Sequence, residues 1–232
     1  MKSNLRLLAL FAAVALPAAV AFAADSDAVK PLPHKVKETA KAAEAPKEKA
    51  AAKETKDTKD AGSPVVIIKT SLGDMKVALR PDKAPVTVEN FLKYVDQKYF
   101  DGTIFHRVIP GFMIQGGGFL PDMTEKKGLM AAIKLETPNG LSNKKGTIAM
   151  ARTGDPNSAT SQFFINVNDN LRLDARPEAS TPEGYAAFGA IAADDAASLA
   201  VAEKIVAVAS GNKGPHQNVP VESVVIQSIR RQ

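Results

Sequence analysis

Between Phe105 and Gly117 the chain reads FHRVIPGFMIQGG, a run that sets one cation, Arg107, and one side-chain amide, Gln115, among apolar residues. Arginine does not exchange protons near neutral pH, so this is a poor composition for hydrolysis. A guanidinium beside apolar surface suits gripping a peptide bond instead. If residues 103–109 and 112–116 are strands joined by a turn, several of Arg107, Phe112, Met113 and Gln115 gather on one surface. His106 reads as a structural, hydrogen-bonding histidine beside that surface rather than a general base. The triple glycine 116–118 lacks the strand and helix context of a dinucleotide loop and reads as a bend or bulge.

Other chemistries fail on inspection. The chain has no Gly-x-Ser-x-Gly elbow, no phosphate loop ending in Gly-Lys-Ser/Thr and no His-Glu-x-x-His. Its histidines, His34, His106 and His216, are dispersed, which disfavours a metal cluster. With no cysteine there is no disulfide and no thiol nucleophile.

The elements that must position this surface follow from periodicity. Residues 65–70 and 75–80 flank Leu72-Gly73-Asp74, with Met75, Val77 and Leu79 alternating, as in a hairpin. Pro85 suits a first helical turn, and Val88, Phe91, Leu92 and Val95 share one helical face over about three turns. A second helix is expected over residues 195–208, capped by Asp194 or Asp195 and ended by Gly211. Further short apolar runs at 131–135, 147–151, 162–167, 188–192 and 221–229 read as strands. Many strands with two helices predict an all-β fold, a closed or nearly closed barrel.

The 232 residues are 45% hydrophobic, enough for one medium domain plus an appendage. The net charge is +5; Lys2 and Arg6 supply two of those charges, and no strong basic stripe remains to mark a nucleic-acid binder. Residues 1–23 have the form of a secretory signal: the two cations, an apolar stretch from Leu7 to Leu16, and Ala21-Phe22-Ala23 as a cleavage site. Pro17 interrupts an apolar run too short to favour a retained anchor, so export without stable membrane insertion is expected. Residues 24–62 hold nine lysines against eight acids and no aromatic residue, the composition of a disordered linker. The folded domain is expected over 63–232.

The FHRVIPGFMIQGG run resembles the central signature of the cyclophilin family of peptidyl-prolyl isomerases. GTIAMARTGDPNSATSQFFINV at 146–167, LRLD at 171–174 and Phe188-Gly189 extend the resemblance, the second motif being similar to the bacterial branch. The resemblance implies a closed eight-stranded antiparallel barrel capped by two helices, with a groove on its outer face. It implies Arg107 as the catalytic arginine, and Phe112, Met113, Phe164 and Leu173 as the proline pocket. Gln115 and Gln162 match polar groove residues, Ala151 a lining position, and the backbone of Arg152 a segment that hydrogen-bonds the peptide. Taken alone, those apolar residues could be core and Arg107 a surface ion-pair residue.

The segment Ala151-Arg152-Thr153 stands where many eukaryotic members have Ala-Asn-Ala. Arg172 occupies a tryptophan position of drug-sensitive members and Tyr185 a histidine position, which argues against strong cyclosporin binding. Residues 175–184 read as a longer loop beside the groove. The implied function is isomerisation of X-Pro bonds in exported, proline-containing polypeptides by a monomer needing no cofactor or metal, in the periplasm or alternatively the medium. A binding chaperone without catalysis is the alternative.

Overall fold

The computed structural model describes residues 63–178 and 181–232; the expected leader and linker lie outside them. The described chain runs β1 (Val65–Thr70), β2 (Gly73–Leu79), α1 (Pro85–Asp96), β3 (Ile104–Ile109), β4 (Met113–Gly116), β5 (Thr147–Met150), β6 (Phe163–Asn166), β7 (Ala187–Ala190), α2 (Ala196–Val206), β8 (Ser210–Lys213), β9 (His216–Pro220) and β10 (Val224–Arg231). Eight strands close a barrel in the order β1-β10-β3-β4-β6-β5-β7-β2, every pair antiparallel, and β8 and β9 form a separate hairpin. The closed barrel with two helices agrees with the expectation from the family resemblance.

Period-two alternation decides what points inward. Val66 and Ile68 of β1 and Met75, Val77 and Leu79 of β2 are fully buried in the interior cluster, and Ile68 pairs with both Met75 and Ile229. Ile226 and Ile229 of β10, three residues apart, are both fully buried there because the β1–β10 register slips between Lys69 and Thr70. Helix α1 adds Val88, Phe91, Leu92 and Val95, the predicted stripe, to the same cluster. Phe91 lies 5.2 Å from the rings of both Phe100 and Phe188 and 5.6 Å, edge-on, from Phe163, a geometry that aromatic quadrupoles favour.

Both helices start with their free N–H groups answered. Pro85 opens α1; the N–H groups of Val86 and Thr87 donate to Glu136 at 3.1 and 2.8 Å, and the Thr87 hydroxyl donates to the same carboxylate at 2.6 Å. Asp195 caps α2 through the Ser198 N–H at 3.0 Å. The Ser198 hydroxyl accepts from the Lys76 N–H at 2.9 Å, tying α2 to β2. Gly73 permits the close approach of α2, because a Cβ there would stand 2.7 Å from a Val201 methyl.

Several boundaries differ from the sequence expectation. Residues 131–135 are not a strand; only Ile133 makes a bridge, with Ala159, because the flanking side chains face solvent and no neighbour continues the ladder. The first hairpin turns at Ser71-Leu72, and Gly73 already pairs with Thr70. Helix α2 ends at Val206 rather than Val208, and Gly211, expected to end it, lies in β8. The expected strand at 221–229 begins at Val224 and runs on to Arg231.

Candidate active site

A second apolar cluster lies on the outer face of the barrel. Moving across the sheet, Arg107 of β3 pairs with Gln115 of β4, Gln115 with Phe164 of β6, Phe164 with Ala149 of β5, and Ala149 with Ala187 of β7. Cross-strand partners share a face, so this row is the outward counterpart of Val108, Ile114, Ile165 and Ile148, which pair in the same order and point inward. Met113, Ala149, Phe164 and Ala187 are buried there, with Phe112, Ala151, Leu173 and Tyr185 packed around them. The apolar residues at issue in the sequence are therefore not part of the barrel interior.

This cluster floors a concavity of about 560 Å³. Arg107, Phe112, Met113, Gln115, Ala151, Arg152, Gln162, Phe164, Leu173 and Tyr185, every site residue expected from the sequence, line it together. Met113 and Phe164 form the floor, while Tyr185 stands edge-on to Phe164 at 5.7 Å. At the polar side the Gln115 amide donates to the Gln162 side-chain oxygen at 3.0 Å. Gly118 makes room for this pair: a Cβ there would fall 2.6 Å from Gln162 Cγ. The chain bends one residue earlier, at Gly117, whose φ of +84° suits glycine.

Arg107 reaches the outer face beside another outward residue because β3 carries a bulge. The register slips between Phe105 and Arg107, so Phe105 and Val108 both enter the interior while His106 and Arg107 both line the concavity. The Arg107 guanidinium makes no ion pair with the described residues. His106 is 5% exposed, its ring lies 4.7 Å from that of Phe119, and its Nδ1 has no hydrogen-bond partner among the described residues. The expected hydrogen-bonding histidine thus leaves its Nδ1 without a partner among the described residues. Burial first, then the electrostatic influence of His216 and of the Arg107 guanidinium, pushes its pKa down to about 4, so the His106 imidazole is neutral at pH 7.

Buried asparagines hold the pocket wall in place. Asn170 donates to the Phe112 carbonyl and to the Asn166 side chain, both at 2.7 Å. Asn143 donates to Asp174 at 2.9 Å and to the Tyr185 carbonyl at 3.1 Å, and Asn166 donates to Asn143 at 3.2 Å. The network links the loop bearing Phe112, the single 3-10 turn Leu171–Leu173 and the segment bearing Tyr185. Sequence reading missed it, since asparagine near glycine and aspartate reads as turn chemistry. It also missed Phe119, Pro215, His216 and Gln217, which wall the far end of the concavity; His216 stands 5.1 Å from Phe119, and the polar β8–β9 hairpin that carries it has no apolar alternation to announce it.

The arrangement offers an apolar slot, an amide pair and one uncommitted guanidinium, a set for holding and twisting an amide rather than for breaking it. Residues 65–230 match the family model described as cyclophilin type peptidyl-prolyl cis-trans isomerase/CLD. The chain is 50% identical over 165 residues to peptidyl-prolyl cis-trans isomerase A of Dickeya dadantii, covering 71% of this chain and 83% of that one. It is 48% identical over 165 residues to peptidyl-prolyl cis-trans isomerase B of Escherichia coli, covering 71% and 98%. Among solved structures, a cyclophilin type peptidyl-prolyl cis-trans isomerase of Cryptosporidium parvum aligns with a TM-score of 0.61 at 27% identity, over 74% of this chain and 98% of that one. The same protein crystallised in the presence of the dipeptide Ala-Pro aligns with a TM-score of 0.59 at 27% identity, over 72% and 98%. The chain thus belongs to the cyclophilin-type peptidyl-prolyl cis-trans isomerases, enzymes that interconvert the two isomers of the bond preceding proline.

Proposed function

We propose that Arg107 performs the isomerisation by binding the twisted imide better than either planar isomer. Resonance sets the rotation barrier at about 18–20 kcal/mol, and no bond to carbon need break. As the bond twists, the proline nitrogen pyramidalises and its lone pair localises, becoming an acceptor the planar state lacks. A guanidinium N–H donated to that lone pair stabilises the transition state selectively. Phe112, Met113, Phe164 and Leu173 hold the ring. Gln115, Gln162 and the main chain at Arg152 hold the peptide beside Ala151 and Tyr185, while the rest rotates. A barrier lowered by about 6 kcal/mol corresponds to roughly 10⁴-fold acceleration.

The observation that carries this reading is that Arg107 lines the same concavity as the apolar slot and spends its charge on no carboxylate among the described residues. The substrates are proline-containing segments of exported proteins, acting in the periplasm, with residues 1–23 as the export signal and 24–62 as a spacer. That placement rests on the leader's composition. Substituting Arg107→Ala in the full chain is expected to lower kcat/KM on a proline peptide by about 10²-fold with an unchanged thermal transition. Arg107→Lys is expected to be poor as well, because an ammonium cannot present the planar donor fork. Turnover near that of the unsubstituted chain by Arg107→Ala would leave only a peptide-holding role for the groove.

A further inference from the structure

The arginines of the described domain divide into two groups. Arg80 is forked onto Asp82 at 2.8 and 2.8 Å, Arg230 onto Asp101 at 2.8 and 2.6 Å, and Arg231 onto Asp96 with its Nε at 2.8 Å. All three lie away from the groove. Arg107, Arg152, Arg172 and Arg176 have no carboxylate partner among the described residues. Arg107 and Arg152 line the concavity, Arg172 covers the Phe112 ring at 4.7 Å, and Arg176 follows on the same loop, donating to the Leu171 carbonyl. No aspartate or glutamate among the described residues lines the concavity.

Arg152 is the most constrained of these cations. Its Nε donates to the Gly184 carbonyl at 3.0 Å, its Nη1 to the Thr153 carbonyl at 2.9 Å, and its guanidinium lies 4.7 Å over the Tyr185 ring. Nη2 is buried and has no acceptor among the described residues, a donor removed from water without compensation. A guanidinium fixed this way has already lost its rotamer freedom, so an incoming acceptor gains its hydrogen bond at little entropic cost. Apolar walls around uncompensated positive charge concentrate the field in the groove.

We propose that the groove selects X-Pro segments carrying a carboxylate side chain beside the proline, read by the guanidinium groups of Arg152 and Arg172. This rests on the groove being the isomerase site. The test is kcat/KM of the full chain on matched peptides with glutamate, glutamine or lysine next to the proline, placed before it in one series and after it in another. Glutamate is expected to exceed glutamine by about fivefold in at least one series, with lysine poorest, the scale of a partly exposed charge pair. Raising salt to about 0.5 M should flatten the preference, since partly exposed charges are screened. The double substitution Arg152→Gln, Arg172→Gln should bring the glutamate to glutamine ratio close to one, whereas Arg152→Lys with Arg172→Lys should keep most of it. Equal turnover of the three peptides by the unsubstituted chain, or an undiminished ratio in the glutamine double variant, overturns the selectivity while leaving the isomerase site intact. Failure to turn over any of them removes the reading beneath it as well.

Discussion

At the scale of single residues, the bulge in β3 gives two adjacent side chains different fates on one surface. Arg107 faces the groove with no carboxylate partner among the described residues, while His106, buried against Phe119, is held neutral with a pKa of about 4. The consequence is measurable as stability. The unfolded imidazole titrates near 6.5, so between about pH 6.5 and pH 4 the unfolded chain binds the extra proton and stability rises with pH. Acidification from pH 7 through 4 therefore removes the contribution, about 3 kcal/mol, and below the folded pKa no further loss comes from this group. The lowered carboxyls of Asp96 and Asp101, each held by an arginine hydrogen bond, also weaken the fold in acid, so the histidine is isolated by difference. Urea unfolding of the unsubstituted chain and of His106→Gln at pH 7 and pH 4 should show the larger loss in the former by about 3 kcal/mol; equal losses would mean that the buried ring is not kept neutral by its surroundings.

At the scale of elements, α1 depends on a carboxylate from far along the chain. Glu136 answers two N–H groups and a hydroxyl in its first turn, where the helix dipole also favours negative charge. Glu136→Ala is expected to cost about 1–2 kcal/mol in urea unfolding, with Glu136→Gln recovering part of it; a loss below a few tenths would show that water caps the helix equally well. The sequence announced α1 itself, through Pro85 and the stripe Val88, Phe91, Leu92 and Val95, because that signal is local. It could not announce the cap, a contact 49 residues apart. The same contrast runs through the site. Arg107, Phe112, Met113 and Gln115 were legible because residue type and strand period place them together within one hairpin. The supporting Asn143, Asn166 and Asn170 were not, since their burial depends on three segments meeting. Hairpin β8–β9 was invisible for another reason: Ser210–Lys213 is exposed throughout, so no face of it is written in apolar residues. The run at 131–135 misled in the opposite sense, being apolar enough for a strand but lacking a partner ladder.

At the scale of the whole molecule, the described domain closes on itself at its own ends. Strand β1, where the family match begins, pairs along its length with β10, and the Gln232 N–H donates to the Val65 carbonyl at 2.9 Å. The first and last strands thus complete the barrel, and the groove is built entirely from residues between them. A domain that supplies its own core and leaves no barrel edge open meets the physical conditions for folding alone. The composition of residues 24–62, by contrast, offers no apolar stripe with which to stabilise anything. A chain beginning at Ser63 is therefore expected to melt within a few degrees of the full chain and to keep kcat/KM on a short proline peptide within about twofold. Measuring both proteins side by side, at several salt concentrations because residues 24–62 are densely charged, separates a spacer from a contributor: a tenfold fall in kcat/KM on removing residues 1–62, with the melting transition intact, would sink the spacer reading and require that segment in the working enzyme.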